Sequence, residues 1–147
     1  MPPYEELFKS GKGFTRPEEA VTFVRESKCD WLSVAIGNIH GAVGDATKDQ
    51  KKLEARLALD HLDTLAKVTG VPLVLHGGSG IRQEDVLASM KKGIAKINVG
   101  TEIRQVYEQA LKAGGDVKAA QKAVYDRTVS FLKDWFKISG IRGKILA

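Results

Sequence analysis

The chain has 147 residues, 43% of them hydrophobic and 28% charged, which suits about one globular domain with a buried core. The single cysteine, Cys29, has no internal partner, so a disulfide-stapled class is excluded and a reducing, cytoplasmic setting is expected. The net charge of +5, from 23 basic and 18 acidic residues, favours an anionic ligand. The basic residues are scattered, however, and the densest cluster (Lys48 to Lys52) contains an acid and no aromatic, which argues against nucleic acid.

In chain order, residues 1–14 are punctuated by Pro2, Pro3, Gly11 and Gly13 and read as irregular. No apolar leader segment stands there, and no apolar run reaches the roughly 20 residues of a membrane span, so no membrane partner is expected. "TRPEEAVTFVRESK" reads as a helix with Thr15 as cap, Glu18 completing a capping box, Pro17 in the first turn and Ala20, Val21, Phe23 and Val24 on one face. "CDWLSVAIG" follows, too continuously apolar for a half-exposed strand, and predicts a strand covered on both faces. After the loop "GNIHGAVGDATKDQKK" comes a helix through "LEARLALDHLDTLAKVTG", with Leu53, Leu57, Leu62 and Leu65 on one face and Gly70 as its stop.

"VPLVLH" is the second strand and "AKINVG" the third, joined by a short helix, "RQEDVLASMKKG". "TEIRQVYEQALKAGG" begins another helix with Glu102 near its positive end. Residues 115–139 form a long amphipathic C-terminal helix carrying Val117, Ala120, Val124, Phe131 and Trp135. The alternation argues an α/β fold with parallel strands. Three strands are few for such a sheet, and a (β/α)8 barrel takes about 250 residues. The chain therefore corresponds to about three βα units of something larger, or to a small sheet completed by other copies of itself.

Each strand ends in a distinctive loop: "GNIHG" (37–41), "HGGSG" (76–80) and "NVGT" (98–101). In parallel α/β folds the carboxyl ends of the strands carry the active site. Gly77, Gly78 and Gly80 permit positive φ and close approach of a ligand to the backbone. Their amides, the Ser79 hydroxyl and the following helix start can form an anion-binding hollow. "NVGT" repeats the logic with Thr101 just before a helix. Against this stands the plain reading of two tight turns. His40 and His76 each follow a strand beside a glycine, and neutral imidazole is a common metal ligand; the alternative for either is an ordinary hydrogen-bonding histidine. His61 lies inside a helix and reads as structural, and Cys29 as a buried thiol.

Together, "VAIGNIHG", "PLVLHGGSGI" and "AKINVGTEIR" resemble the last three strand-loop motifs of the class II, metal-dependent fructose-bisphosphate and tagatose-bisphosphate aldolases. The resemblance covers residues 15–110. It implies a partial (β/α)8 TIM barrel within a single domain over 1–147, a homo-oligomer, and reversible cleavage of a ketose bisphosphate to dihydroxyacetone phosphate and glyceraldehyde 3-phosphate, a glycolytic lyase reaction. By position, His40 and His76 match two of three zinc-binding histidines. Gly41, Gly77, Gly78 and Ser79 match the loops around the dihydroxyacetone phosphate end. Asn98 matches the catalytic asparagine that contacts the enediolate, and Val99, Gly100 and Thr101 continue the phosphate-binding loop. Arg104 matches an arginine that reaches the far phosphate of a neighbouring subunit's substrate.

The implied cofactor is Zn²⁺, with room for a monovalent cation, and the implied partner is a sugar phosphate. The third zinc histidine and the proton-shuttling aspartate have no counterpart, so the chain reads as a carboxyl-terminal portion, incomplete for catalysis alone. Gly100 is closer to the tagatose pattern than to the fructose one. The competing expectations are a sugar-phosphate-binding module without catalysis and a vestigial partial barrel that self-associates.

Overall fold

Parallel strands cannot be joined by hairpins and need a crossover between each pair; here the crossovers are the helices that the glycine-punctuated amphipathic segments supply. The computed structural model describes residues 4–38, 55–141 and 143. The chain divides into two compact units, Met1–Val99 and Gly100–Ala147. The first holds α1 (Tyr4–Ser10), α2 (Pro17–Ser27), β1 (Leu32–Val34), α3 (Leu59–Thr69), β2 (Leu73–Leu75), α4 (Gln83–Met90) and β3 (Ile94–Ile97). The second holds α5 (Thr101–Lys112) and α6 (Val117–Ser130), which runs into a π-helical turn, Phe131–Trp135. The three strands form one parallel sheet in the order β1-β2-β3, the α/β class that the alternation predicts.

The core of the first unit lies around β2. As the middle strand it is buried on both faces: Leu73, Val74 and Leu75 are all buried. Leu62 and Leu65 of α3, Val86 of α4, Ile94 of β3, and the loop residues Ile36, Ala55, Leu57 and Ile81 are buried with them. Full burial of a side chain of this size stabilises by about 1.5–3 kcal/mol before entropy is counted. The segment before α3 is tied in as well. Ala55 forms an isolated parallel bridge with Ile81, and the Ala58 amide donates to the Ile36 carbonyl at 2.9 Å.

Several local expectations are corrected. Tyr4–Ser10 is a helix rather than irregular chain, because the breakers flank it: Pro2 and Pro3 precede it, and Gly11, at φ 65°, follows. Thr15 does not cap α2. Arg16 holds the N-cap position with no side-chain cap bond, while the Thr15 hydroxyl accepts from the Ala35 amide at 2.8 Å and the Thr15 amide donates to the Ala35 carbonyl at 2.8 Å. Thr15 is thus spent on stitching the α1–α2 linker to the end of β1. On α2 only Ala20 is buried, and Val21 and Phe23 are exposed. Leu57 is buried but precedes α3, and Leu53 lies outside the described residues. Gly70, left-handed at φ 65°, ends α3 as expected.

β1 is not covered on both faces: Leu32 and Val34 are buried and Ser33 is exposed. It is an edge strand, and a strand reads as a continuous apolar run only when both faces are packed. Cys29 is half-buried rather than buried. In the second unit Asp116 caps α6 by accepting from the Ala119 amide at 2.7 Å. Of the face predicted for this helix, Ala120 and Phe131 are buried and Val117 is exposed. The π-helical turn after Ser130 interrupts the predicted continuous helix. It folds Trp135 and Phe136 around Phe131, with ring centroids 6.2 and 5.7 Å away.

Candidate functional site

Side chains alternate across a strand, so the residues facing one side of this sheet can be read from its register. Ser33 pairs with Val74, and Val74 with Lys96. Further along the strands, the Asn98 amide donates to the Leu75 carbonyl at 2.9 Å, and the next row of the same face holds His76 and Asn98. One irregularity makes this possible. Leu73 pairs with Ile94, yet Val74 pairs with Lys96, so Ala95 is skipped. Ile94 and Lys96 have the same parity, and in a regular strand both would face the core with Leu73. With Ala95 inserted, Ile94 is buried while Lys96 is exposed, and Asn98 arrives on the side of His76. Bulges re-aim side chains in this way next to functional sites.

On that face the Asn98 side-chain nitrogen lies 2.8 Å from Nε2 and 3.3 Å from Nδ1 of His76. The Asn98 side-chain oxygen accepts from the Lys96 ammonium at 2.8 Å, and that ammonium stands over the Trp31 ring, 5.7 Å from its centroid. A second asparagine holds the backbone: Asn38 Nδ2 donates to the His76 carbonyl at 2.9 Å, and its Oδ1 accepts from the Ile36 amide at 2.9 Å. Asn38 therefore ties the exit of β1 to the exit of β2.

The glycine loop is built on close approach. The Gly78 amide donates to the Asn98 carbonyl at 3.0 Å, so it is committed to the backbone rather than left for an anion. A Cβ on Gly78 would come within 2.6 Å of Ile97 Cγ2. Gly77 and Gly80 take φ of 67° and 75°, the left-handed region where glycine carries no penalty. Ser79 is buried, at 4% exposure. The positive end of α4 is already partly offset by Glu84 and Asp85 in its first turn, and Asp85 Oδ2 accepts from the Leu57 amide at 2.9 Å.

In the second unit Gly100 is the N-cap residue of α5 and Thr101 its first residue, and Arg104 is exposed, its Nε 3.3 Å from Glu108. Glu102 is paired with Arg127 at 2.5 Å, whose guanidinium covers the Phe131 ring. His40 and Gly41 lie outside the described residues, as does the Lys48–Lys52 cluster. Among the described residues no group of three or more His, Cys, Asp or Glu side chains converges on a metal position. Of the two predicted ligands, His76 is the one within the described residues; its half-buried imidazole just past a strand suits a borderline-soft ion. His61 is structural as expected: its Nε2 donates to the Thr15 carbonyl at 2.7 Å, and its ring packs on Phe14.

Three participants escaped the sequence reading. Asn38 sits in a glycine-flanked loop, where an asparagine that bonds its own backbone is a readable turn signal. Lys96 lies inside the predicted strand "AKINVG", where nothing in the local sequence marks the skipped residue Ala95. Tyr4 lay in a stretch read as irregular; its hydroxyl accepts from the Arg56 amide at 2.7 Å and lies 3.1 Å from the Gly37 carbonyl. It thereby joins the chain on either side of the segment that carries His40.

The chain matches the family described as fructose-bisphosphate aldolase class-II over residues 4–144. It is 36% identical over 133 residues to a fructose-bisphosphate aldolase of Streptococcus pneumoniae serotype 4, across 90% of this chain and 43% of that protein. The crystal structure of the YdjI aldolase from Escherichia coli K12 superimposes with a TM-score of 0.70 at 35% identity, over 83% of this chain and 46% of that one. Fructose-bisphosphate aldolase from Campylobacter jejuni reaches 0.62 at 19% identity, over 87% and 47%, a likeness of fold alone. The chain spans a little under half the length of these relatives.

Proposed function

As the chain belongs to the class II fructose-bisphosphate aldolase family, we propose that its site serves zinc-assisted, reversible aldol cleavage of a ketose 1,6-bisphosphate to dihydroxyacetone phosphate and glyceraldehyde 3-phosphate. The support is the contact of 2.8 Å between Asn98 and His76 at adjacent strand ends, with the glycine loop beginning at the next residue. His76 and His40 hold the metal through imidazole lone pairs. Zn²⁺, when bound, would supply a Lewis acid for the substrate carbonyl; a monovalent cation is the second ion for which the resemblance leaves room.

Asn98 offers its side-chain N–H to a substrate oxygen. The resemblance assigns Gly41, Gly77, Gly78, Ser79, Val99, Gly100 and Thr101 to the phosphate of the dihydroxyacetone end, and the Gly78 amide ties its own loop to the Asn98 carbonyl. Holding the substrate in one pose is itself a large part of such catalysis. Arg104 takes the far phosphate in a neighbouring copy of a homo-oligomer. In this reading the chain belongs to one (β/α)8 barrel domain working in the cytoplasm, and Gly100 inclines the sugar towards tagatose.

The chain spans 43% and 46% of two relatives, and it offers no counterpart to the third histidine and the aspartate that the resemblance implies. Turnover by this chain alone is accordingly negligible. A second reading is a sugar-phosphate-binding module without catalysis, since the glycine and asparagine loops could hold a phosphate whether or not a metal is bound. Metal analysis and calorimetry with dihydroxyacetone phosphate test both, on the chain as it stands and on His40→Ala and His76→Ala. Zinc retained by the parent and lost from both variants supports the first reading; phosphate binding that needs neither histidine nor zinc supports the second; no binding of either ligand rejects both.

A further inference from the structure

We propose that Lys96 is a positioning residue that locks the side-chain amide of Asn98 in one of its two orientations. The inference rests on the reading of His76 and Asn98 as site residues and extends it to a residue that reading does not contain. A primary amide can turn by half a rotation and exchange its oxygen for its nitrogen with almost no change of shape, while reversing what it offers a ligand. An ammonium has three donors and no acceptor, so Lys96 Nζ, 2.8 Å from Asn98 Oδ1, can be satisfied only by the oxygen. With the oxygen held, both N–H bonds of Asn98 point away from Lys96. The amide nitrogen lies against the His76 ring, 2.8 Å from Nε2 and 3.3 Å from Nδ1, and what Asn98 offers a ligand on that side is N–H rather than a carbonyl oxygen.

The position of Lys96 is itself specified. The skipped residue Ala95 brings Lys96 onto the face of Val74 rather than that of Leu73, and the ring of Trp31 lies 5.7 Å from its ammonium. An aromatic face attracts a cation without offering it a hydrogen-bond acceptor, so Trp31 steadies the ammonium and does not compete with Asn98.

The test needs neither turnover nor metal. ¹H–¹⁵N correlation and NOE spectra of the full chain, ¹⁵N-labelled and metal-free, report whether the Asn98 side-chain N–H protons lie against the His76 ring. The parent is expected to show NOEs from the Asn98 amide protons to the His76 ring protons, Lys96→Met weakened NOEs as the flipped amide turns its oxygen to the ring, and Lys96→Arg the parent pattern. Should Lys96→Met fail to fold, Lys96→Ala shortens the side chain without adding apolar bulk and is read the same way. Asn98–His76 NOEs unchanged in the Met or Ala variant overturn the proposal. So does a parent that lacks them, or a loss that Arg does not restore, which would make the effect one of packing. Failure to bind zinc or sugar phosphate would sink the functional reading and leave this result standing.

Discussion

The side-chain nitrogen of Asn98 lies 2.8 Å from Nε2 of His76, joining the residues that immediately follow two neighbouring parallel strands. Asn98→Ala removes this bond. A net loss of about 0.5–1.5 kcal/mol in folding stability is expected, small enough to leave the fold intact. If Asn98 also meets the ligand, dihydroxyacetone phosphate affinity falls about tenfold, the equivalent of about 1.4 kcal/mol. Urea unfolding and calorimetry on the same samples separate the two effects.

Gly78→Ala places a Cβ 2.6 Å from Ile97 Cγ2 and 3.1 Å from the Asn98 carbonyl oxygen. Overpacking of this kind costs about 1–3 kcal/mol. In a double-mutant cycle with Ile97→Ala, which removes the methyl in the way, the two changes together should cost less than their sum. Additivity would place the strain elsewhere.

Tyr4→Phe leaves the Arg56 amide without the hydroxyl it meets at 2.7 Å. A destabilisation of about 1–2 kcal/mol follows, with faster hydrogen exchange at Arg56 than in the parent. The neighbouring ion pair of Glu5 with Arg56, at 2.5 Å, is largely solvated and should contribute under about 1 kcal/mol when tested by Glu5→Gln.

Leu75→Ala empties a site at 0% exposure in the central strand. Substitutions of this type cost about 2–5 kcal/mol. Val68→Ala, at an exposed position on α3, should stay within about 0.5 kcal/mol. Equal effects of the two in thermal or urea unfolding would contradict the assignment of the core to β2.

Asp63 titrates below the usual aspartate range. The main cause is its hydrogen bond from Lys67, and the charges of Lys67 and Lys92 add to it while desolvation opposes them. A depressed folded pKa means that the pair stabilises the protein above the ordinary aspartate pKa and that this contribution is lost as pH falls through the folded value. Lys67→Ala should move the Asp63 titration back towards the ordinary value in a carboxyl-detected NMR titration, and should weaken the acid dependence of unfolding. No movement would sink the assigned cause.

Apart from α1, the order of helices and strands and the parallel sheet were legible in the amino acids, because both rest on local periodicity and on glycines that end helices, as Gly70 does. The histidine-glycine loop and the asparagine loop were legible too, as residue types at strand ends. Burial was less so. Trp31 and Ser33 belong to an apolar stretch, yet both are exposed, since whether a strand is central or at an edge depends on which strands pair. Thr15 looked like a helix cap because capping is judged from local spacing, but Ala35, twenty residues on, takes its hydroxyl.

What the chain's own order of residues determined is the set of chemical groups: an imidazole ending one strand, an amide ending the next, and glycines where the backbone must turn or approach closely. What only the tertiary structure decided is which of them meet. The parity of β3 by itself would send Asn98 to the same face as Ile94, into the core. Pairing with β2 leaves Ala95 out of the ladder, and that one-residue slip, a property of two strands together and of neither alone, turns Lys96 and Asn98 to the side of His76.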